Sequence, residues 1–191
     1  MTAVRLSREF HFEIVLQHCT EGYRVAGELA RQGIWVSLTL IDSPGGKPET
    51  MGLLEENAAI LRKAGVKVAI NTDDPITESR LLLRSAGLAV RAGMSREKAL
   101  FGLTQAGAII LDLKGRVGSL AAGKDADFLV LSGDPLDYRT HVLETWVEGV
   151  KVFDYANPAD KLYATGGYGA SHDQPPFAHL CGDHDDEEQG R

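Results

Sequence analysis

Residues 66–75 read Val66-Lys67-Val68-Ala69-Ile70-Asn71-Thr72-Asp73-Asp74-Pro75. Val66 to Ile70 is a short apolar run that opens after Gly65 and stops in a polar turn, which predicts a buried strand. The helix before it spans Thr50 to Ala64, with Leu53, Leu54, Ala58 and Leu61 on one face and Gly65 as its stop. The same order recurs upstream. Phe12 to Gln17 is a strand ending at His18, and Glu21 to Gln32 is a helix with Tyr23, Ala26, Leu29 and Ala30 on one face and Gly33 as its stop. Ile34 to Leu40 is the next strand, followed by the Pro/Gly loop Ile41 to Glu49. Arg5 to Phe12 is helix-compatible. Leu81 to Ala92 is helical, and Ser95 caps a further helix through Phe101 to Ala108, with Glu97 in its first turn suiting the helix dipole. Three strands, each followed by a helix and each apolar enough to be covered on both faces, predict a parallel α/β layer.

The character changes near Gly115. Short apolar runs at Phe128 to Leu131, Val142 to Glu148 and Val150 to Asp154 are separated by Gly123-Lys124-Asp125-Ala126-Asp127, Gly133-Asp134-Pro135 and the turn Glu148-Gly149, an all-β pattern. The expected organisation is residues 1–114 as the α/β part, 115–155 as a β part, and 156–191 as a polar, Gly-rich and acidic tail without fixed structure. His179-x-Cys181-x-x-His184 in that tail matches no structural zinc spacing.

The chain has 191 residues, a hydrophobic fraction of 43% and a charged fraction of 25%, values ordinary for a globular protein. Its formal net charge is -7 and no Lys/Arg cluster stands out, which argues against a nucleic-acid partner. No run approaches the ~18 apolar residues that span a bilayer, so no membrane partner is expected. Two cysteines, Cys19 and Cys181, do not make a disulfide framework, and free thiols fit a reducing, cytoplasmic setting.

In parallel α/β sheets and barrels, ligands meet the side chains at the C-terminal ends of the strands. Those ends deliver His18 after one strand, and Asn71, Thr72, Asp73 and Asp74 after another. Imidazole and carboxylate are the donors a hydrolytic divalent metal takes, and a carboxylate beside an activated water can serve as general base. Each residue also has a plainer use. A His after a strand can sit on the surface, and Asp-Asp-Pro can be a turn and helix cap.

The segments VLQHCTEGYRVAGEL (residues 15–29), VKVAINTDDP (66–75) and GRVGSLAAGKDADFLVLSGDPL (115–136) resemble the last third of the amidohydrolase superfamily, nearest its imidazolonepropionase-like branch. The third is the most specific, and TWVEGVKVFD (145–154) is similar to the strand pair that follows it. The resemblance runs over roughly residues 5 to 155 in the right order.

The resemblance implies a (β/α)8 TIM-type barrel carrying a small β-sandwich built from both chain ends. Residues 12 to 110 would be the last three β/α units of an incomplete barrel, and 115 to 155 the C-terminal part of the sandwich. His18 would match the strand-six histidine, which ligates metal or contacts substrate. Asp73, preferred over Asp74, would match the strand-eight aspartate, which binds metal and shuttles a proton. The implied activity is metal-dependent hydrolysis of a carbon–nitrogen bond other than a peptide bond, in a cyclic amide, with zinc, or else iron or manganese, as the metal.

The family's His-x-His pair, its strand-four Lys or Glu and its strand-five histidine have no counterpart here. Of the other histidines in residues 1 to 114 only His11 remains, and it reads as structural. Thr104-Gln105-Ala106-Gly107-Ala108 stands where relatives often have Asn-Pro-Ala. The chain is therefore expected to be a fragment, inactive alone, with unpaired strand edges that need a missing N-terminal portion or a homo-oligomer partner. The alternative is a non-catalytic remnant that acts as an interaction module.

Overall fold

The computed structural model describes residues 1–40, 48–74, 77–167 and 170. The chain divides into two compact units, residues 1–153 and 154–191. The change from α/β to all-β character at 114/115 falls inside the first. The motif residues His179, Cys181 and His184 lie outside the described residues, as does most of the loop expected at 41–49.

The first unit opens with helix α1 (Thr2–Glu9), which buries Val4. Strands β1 (Val15–His18), β2 (Trp35–Thr39) and β3 (Lys67–Asn71) form a parallel sheet in the order β1-β2-β3. Register runs Leu16↔Val36, His18↔Leu38 between the first pair and Val36↔Val68, Thr39↔Asn71 between the second. Helices α2 (Ala26–Arg31), α3 (Asn57–Lys63), α4 (Leu82–Arg91), α5 (Arg96–Leu103) and α6 (Gln105–Ile110) follow in chain order.

Alternation along the strands sorts the two faces of this sheet. Val36, Leu38, Val68 and Ile70 share one face and form one core with Leu29, Ala58, Leu61, Ala86, Ala89 and Ala99 from the helices. Gly102 of α5 permits close contact there, since a Cβ would come within 3.2 Å of Ile70 Cγ1. The other face carries Trp35, Ser37, Thr39, Lys67, Ala69 and Asn71. It is more polar, and the Trp35 ring stacks on Phe101 at 6.5 Å.

Helices α2 and α3 stop where glycine allows a left-handed residue. Gly33 and Gly65 have φ of 69° and 94°. The residue after each donates back into the helix, Ile34 N–H to Leu29 O at 3.1 Å and Val66 N–H to Leu61 O at 3.0 Å. This Schellman geometry turns the chain straight into the next buried strand.

Several elements differ from expectation. The helix expected from Glu21 is a 3₁₀ turn, Gly22–Val25, followed by α2. The helix expected from Thr50 starts only at Asn57; ahead of it the Gly52 carbonyl accepts from Tyr23 Oη in the 3₁₀ turn after β1. The helix capped by Ser95 (Lys98 N–H to Ser95 Oγ, 3.3 Å) breaks at Thr104, whose φ/ψ of -125°/-85° starts α6.

Strands β4 (Phe128–Leu131), β5 (Val142–Val147) and β6 (Val150–Asp154) form a second sheet in that order, with Phe128 stacked on its cross-strand partner Trp146 at 5.5 Å. Glu148 and Gly149 both have positive φ, 50° and 76°, the type I′ turn that matches strand twist. Asp125 and Asp127 hold the turns around β4 and β5. Asp125 pairs with Arg116 at 2.6 Å, and Asp127 Oδ1 accepts the Glu148 N–H at 2.8 Å.

In the second unit, helix α7 (Pro158–Thr165) occupies part of the stretch expected to be an unstructured tail. Asn157 accepts the Ala159 N–H at 2.9 Å, and Pro158 supplies the pre-set φ of a first helical residue. That local start signal is independent of the fading apolar periodicity around it.

Leu29 is fully buried at the centre of the first core. Leu29→Ala is expected to lower the unfolding free energy by about 3 kcal/mol in urea titration. Met51→Ala, at a residue 81% exposed, is expected to change it by under about 0.5 kcal/mol.

Candidate active site

His18 is the last residue of β1 and Asp73 lies two residues beyond β3. His18 Nε2 and Asp73 Oδ2 are 3.2 Å apart. Their side chains are 56% and 43% exposed, so the pair is open to solvent and to a small molecule. The two strand tips are not adjacent, because β2 runs between them. Flanking strands sit roughly 9.5 Å apart across a middle one, so both side chains must lean over the end of β2 to meet.

Backbone geometry makes that lean possible. Continued alternation would send His18 to the helix-covered face with Leu16. Instead His18 has φ of 60°, Cys19 has φ of 46°, and Cys19 N–H donates to Gln17 O at 2.7 Å, a γ-turn centred on His18. Asp73 likewise has φ of 56°. Left-handed residues other than glycine cost of order 1–3 kcal/mol each and collect at functional sites.

The surroundings hold these turns. Asn57, 2% exposed at the start of α3, spends its whole side-chain amide on the loop after β1. Its Nδ2 donates to Cys19 O and Thr20 O, each at 3.0 Å, and its Oδ1 accepts the Tyr23 N–H at 2.8 Å. Tyr23 Oη donates to Gly52 O at 3.0 Å. Beneath Asp73, Asn71 ties β3 to β2: Thr39 Oγ1 donates to Asn71 Oδ1 at 2.7 Å and Asn71 Nδ2 donates to Ser37 Oγ at 2.6 Å. Neither asparagine was singled out from the sequence as holding the site. Both make contacts more than thirty residues away along the chain, which periodicity does not encode.

The neighbouring acid has a different task. Asp74 Oδ2 accepts the Ser79 N–H at 2.8 Å and the Ser79 hydroxyl at 2.6 Å, opening the 3₁₀ turn Ser79–Leu81. The Ser79 hydroxyl and backbone N–H hold its carboxyl below the ordinary 3.8. Cys19 is a free, half-buried thiol, and burial pushes its pKa up, away from thiolate chemistry. His11 lies far from this end: it lines a cavity of about 500 Å³ with Val15, Trp35 and Lys67, the first residues of the three strands.

Two ligands each about 2.1 Å from a tetrahedral zinc lie roughly 3.4 Å apart, close to the observed 3.2 Å separation. The pair therefore fits two positions of a metal's ligand set. Among the described residues no group of three or more His, Cys, Asp and Glu could hold an ion, so the two side chains do not close a metal site by themselves.

The Asp74 cap gives a testable contrast. Its folded pKa is depressed, so its stabilisation is complete above the ordinary value of 3.8 and is lost as pH falls through the lower folded value. The Ser79 amide should stay protected from hydrogen exchange down to that range and lose protection below it. Asp74→Ala should remove the protection at neutral pH, and Asp73→Ala should leave it unchanged.

The sequence profile of the Amidohydrolase family matches residues 10–153. An imidazolonepropionase of Syntrophobacter fumaroxidans is 41% identical over 100 residues, covering 49% of this chain and 23% of that protein. A solved amidohydrolase of Thermotoga maritima superposes with a TM-score of 0.76 at 37% identity, over 80% of this chain and 40% of its own. An adenosine deaminase of Xanthomonas campestris with bound zinc shares the fold, with a TM-score of 0.58 at 22% identity, over 85% of this chain and 44% of its own. The chain thus spans less than half the length of each of these proteins. Among the described residues no helix is long and apolar enough to cross a membrane. By the extent of the profile match and the shared identity, the chain belongs to the amidohydrolase family, and is imidazolonepropionase-like.

Proposed function

We propose that the chain supplies the last three β/α units of a (β/α)8 barrel, and residues 115–155 the C-terminal part of a β-sandwich, in a hydrolase of non-peptide carbon–nitrogen bonds. The observation that carries this reading is the 3.2 Å approach of His18 to Asp73 at the C-terminal ends of parallel strands. Exposed apolar side chains on the second sheet, Leu129 at 46%, Val150 at 62% and Val152 at 57%, suit a sheet that has a partner sheet in the whole protein.

The substrate fitting this chemistry is a small cyclic amide. A divalent ion, zinc or else iron or manganese, supplies when bound a water acidic enough to ionise near neutral pH. Asp73 takes the proton as water attacks the carbonyl carbon and returns it to the leaving nitrogen as the C–N bond breaks. His18 holds the ion or polarises the carbonyl oxygen. The remaining ligands come from the other barrel strands, in an N-terminal portion or a separate chain, and the 191-residue chain alone is inactive. In this reading the working protein is cytoplasmic.

A second reading, a non-catalytic interaction module, is favoured by the donor set of two among the described residues. Metal analysis and hydrolysis separate the two. After dialysis the chain alone should hold less than one equivalent of zinc, iron or manganese and hydrolyse no cyclic amide. Supplied with the five preceding β/α units, it should load metal stoichiometrically and hydrolyse, and Asp73→Asn should then lower kcat about 10²–10⁴-fold. A completed assembly that binds metal but never hydrolyses would favour the module, and tight stoichiometric metal in the chain alone would contradict the incomplete site.

A further inference from the structure

We propose that Asn57 is a positioning residue for His18, its amide clamping the strained turn after β1 so that the imidazole faces Asp73. The proposal rests on His18 and Asp73 forming one site. The turn has two consecutive left-handed residues, His18 and Cys19, neither a glycine. Such a backbone persists only where its surroundings over-determine it, and the surroundings here converge on one side chain.

Asn57 contributes two donors and one acceptor, and all are used on this loop: Cys19 O, Thr20 O and Tyr23 N–H. These partners also fix its orientation, because a flipped amide would set its oxygen against two carbonyl oxygens and its NH₂ against an N–H. Burial to 2% exposure keeps water from substituting. The loop is tight against its base as well: a Cβ on Gly22 would fall 2.6 Å from Cys19 Sγ and 3.4 Å from Leu61. Cys19 O, one of the clamped carbonyls, belongs to the residue directly after His18. Release of the clamp lets φ of His18 return to the extended range, where alternation carries the imidazole towards the helix-covered face and away from Asp73.

Asn57→Asp is the closest probe, since it keeps shape and acceptor and loses both donors. In the 191-residue chain, nuclear Overhauser contacts between the His18 ring protons and the Asp73 β-protons report the pairing. These should be present in the unaltered chain and lost in Asn57→Asp and Asn57→Ala, with core resonances still dispersed. They should persist in Ala99→Gly, a buried α5 substitution that destabilises the fold without touching the loop. Persistence of the contacts in both Asn57 variants would overturn this proposal alone. Their absence from the unaltered chain would overturn the site itself, and this proposal with it. If neither Asn57 variant folds, hydrogen exchange of the unaltered chain decides: a slow Tyr23 amide supports the clamp, and exchange at the open-chain rate overturns it.

Discussion

Two backbone positions carry the arrangement at the top of the first sheet. His18 and Asp73 leave β1 and β3 through left-handed residues, which re-aim an imidazole and a carboxylate over the end of β2 to within 3.2 Å. In extended geometry the strands would deliver these groups with β2 between them and, for His18, on the wrong face. The strain is local, and the compensation comes from the hydrogen bonds of Asn57 and Asn71 together with the core that supports the strands.

That core is ordinary in kind. Val36, Leu38, Val68 and Ile70 meet small residues, Ala58, Ala86, Ala89 and Ala99, which let the helices approach the sheet closely. Fixed strand ends are the useful product. β2 and β3 begin from the glycine-stopped helices α2 and α3, and the three parallel strands finish together, so His18 and Asp73 emerge at one end of the sheet. The cavity among the strand beginnings lies at the other end, lined by Val15, Trp35 and Lys67, and takes no part in the proposed chemistry.

Much of this was legible in the sequence because the signals were local. The apolar runs, the glycine stops at Gly33 and Gly65, the Ser95 cap and the Glu148-Gly149 turn each act within a few residues. His18 and Asp73 were legible as strand-end residues, and their order along the chain resembles the family's. The preference for Asp73 over Asp74 rested on that resemblance; in the structure Asp74 accepts from the Ser79 amide and hydroxyl, a contact between loop residues that the strand pattern does not encode. What escaped was non-local or masked by stronger patterns. Asn57 sits among residues that scan as an amphipathic helix, yet its side chain serves a loop 34 to 38 residues earlier. The break at Thr104 interrupts a stretch whose composition is continuously helical, and α7 begins on an Asn-Pro cap inside a segment with little apolar periodicity.

The positions of two side chains decide whether the strand ends form a site. The most direct measurement is the His18 Nε2 to Asp73 Oδ2 separation in crystals of the chain grown at neutral pH. It should fall near 3.2 Å with both residues left-handed. A His18 ring packed among Leu16 and the helices, or an Asp73 carboxylate turned away beyond ion-pair range, would contradict it.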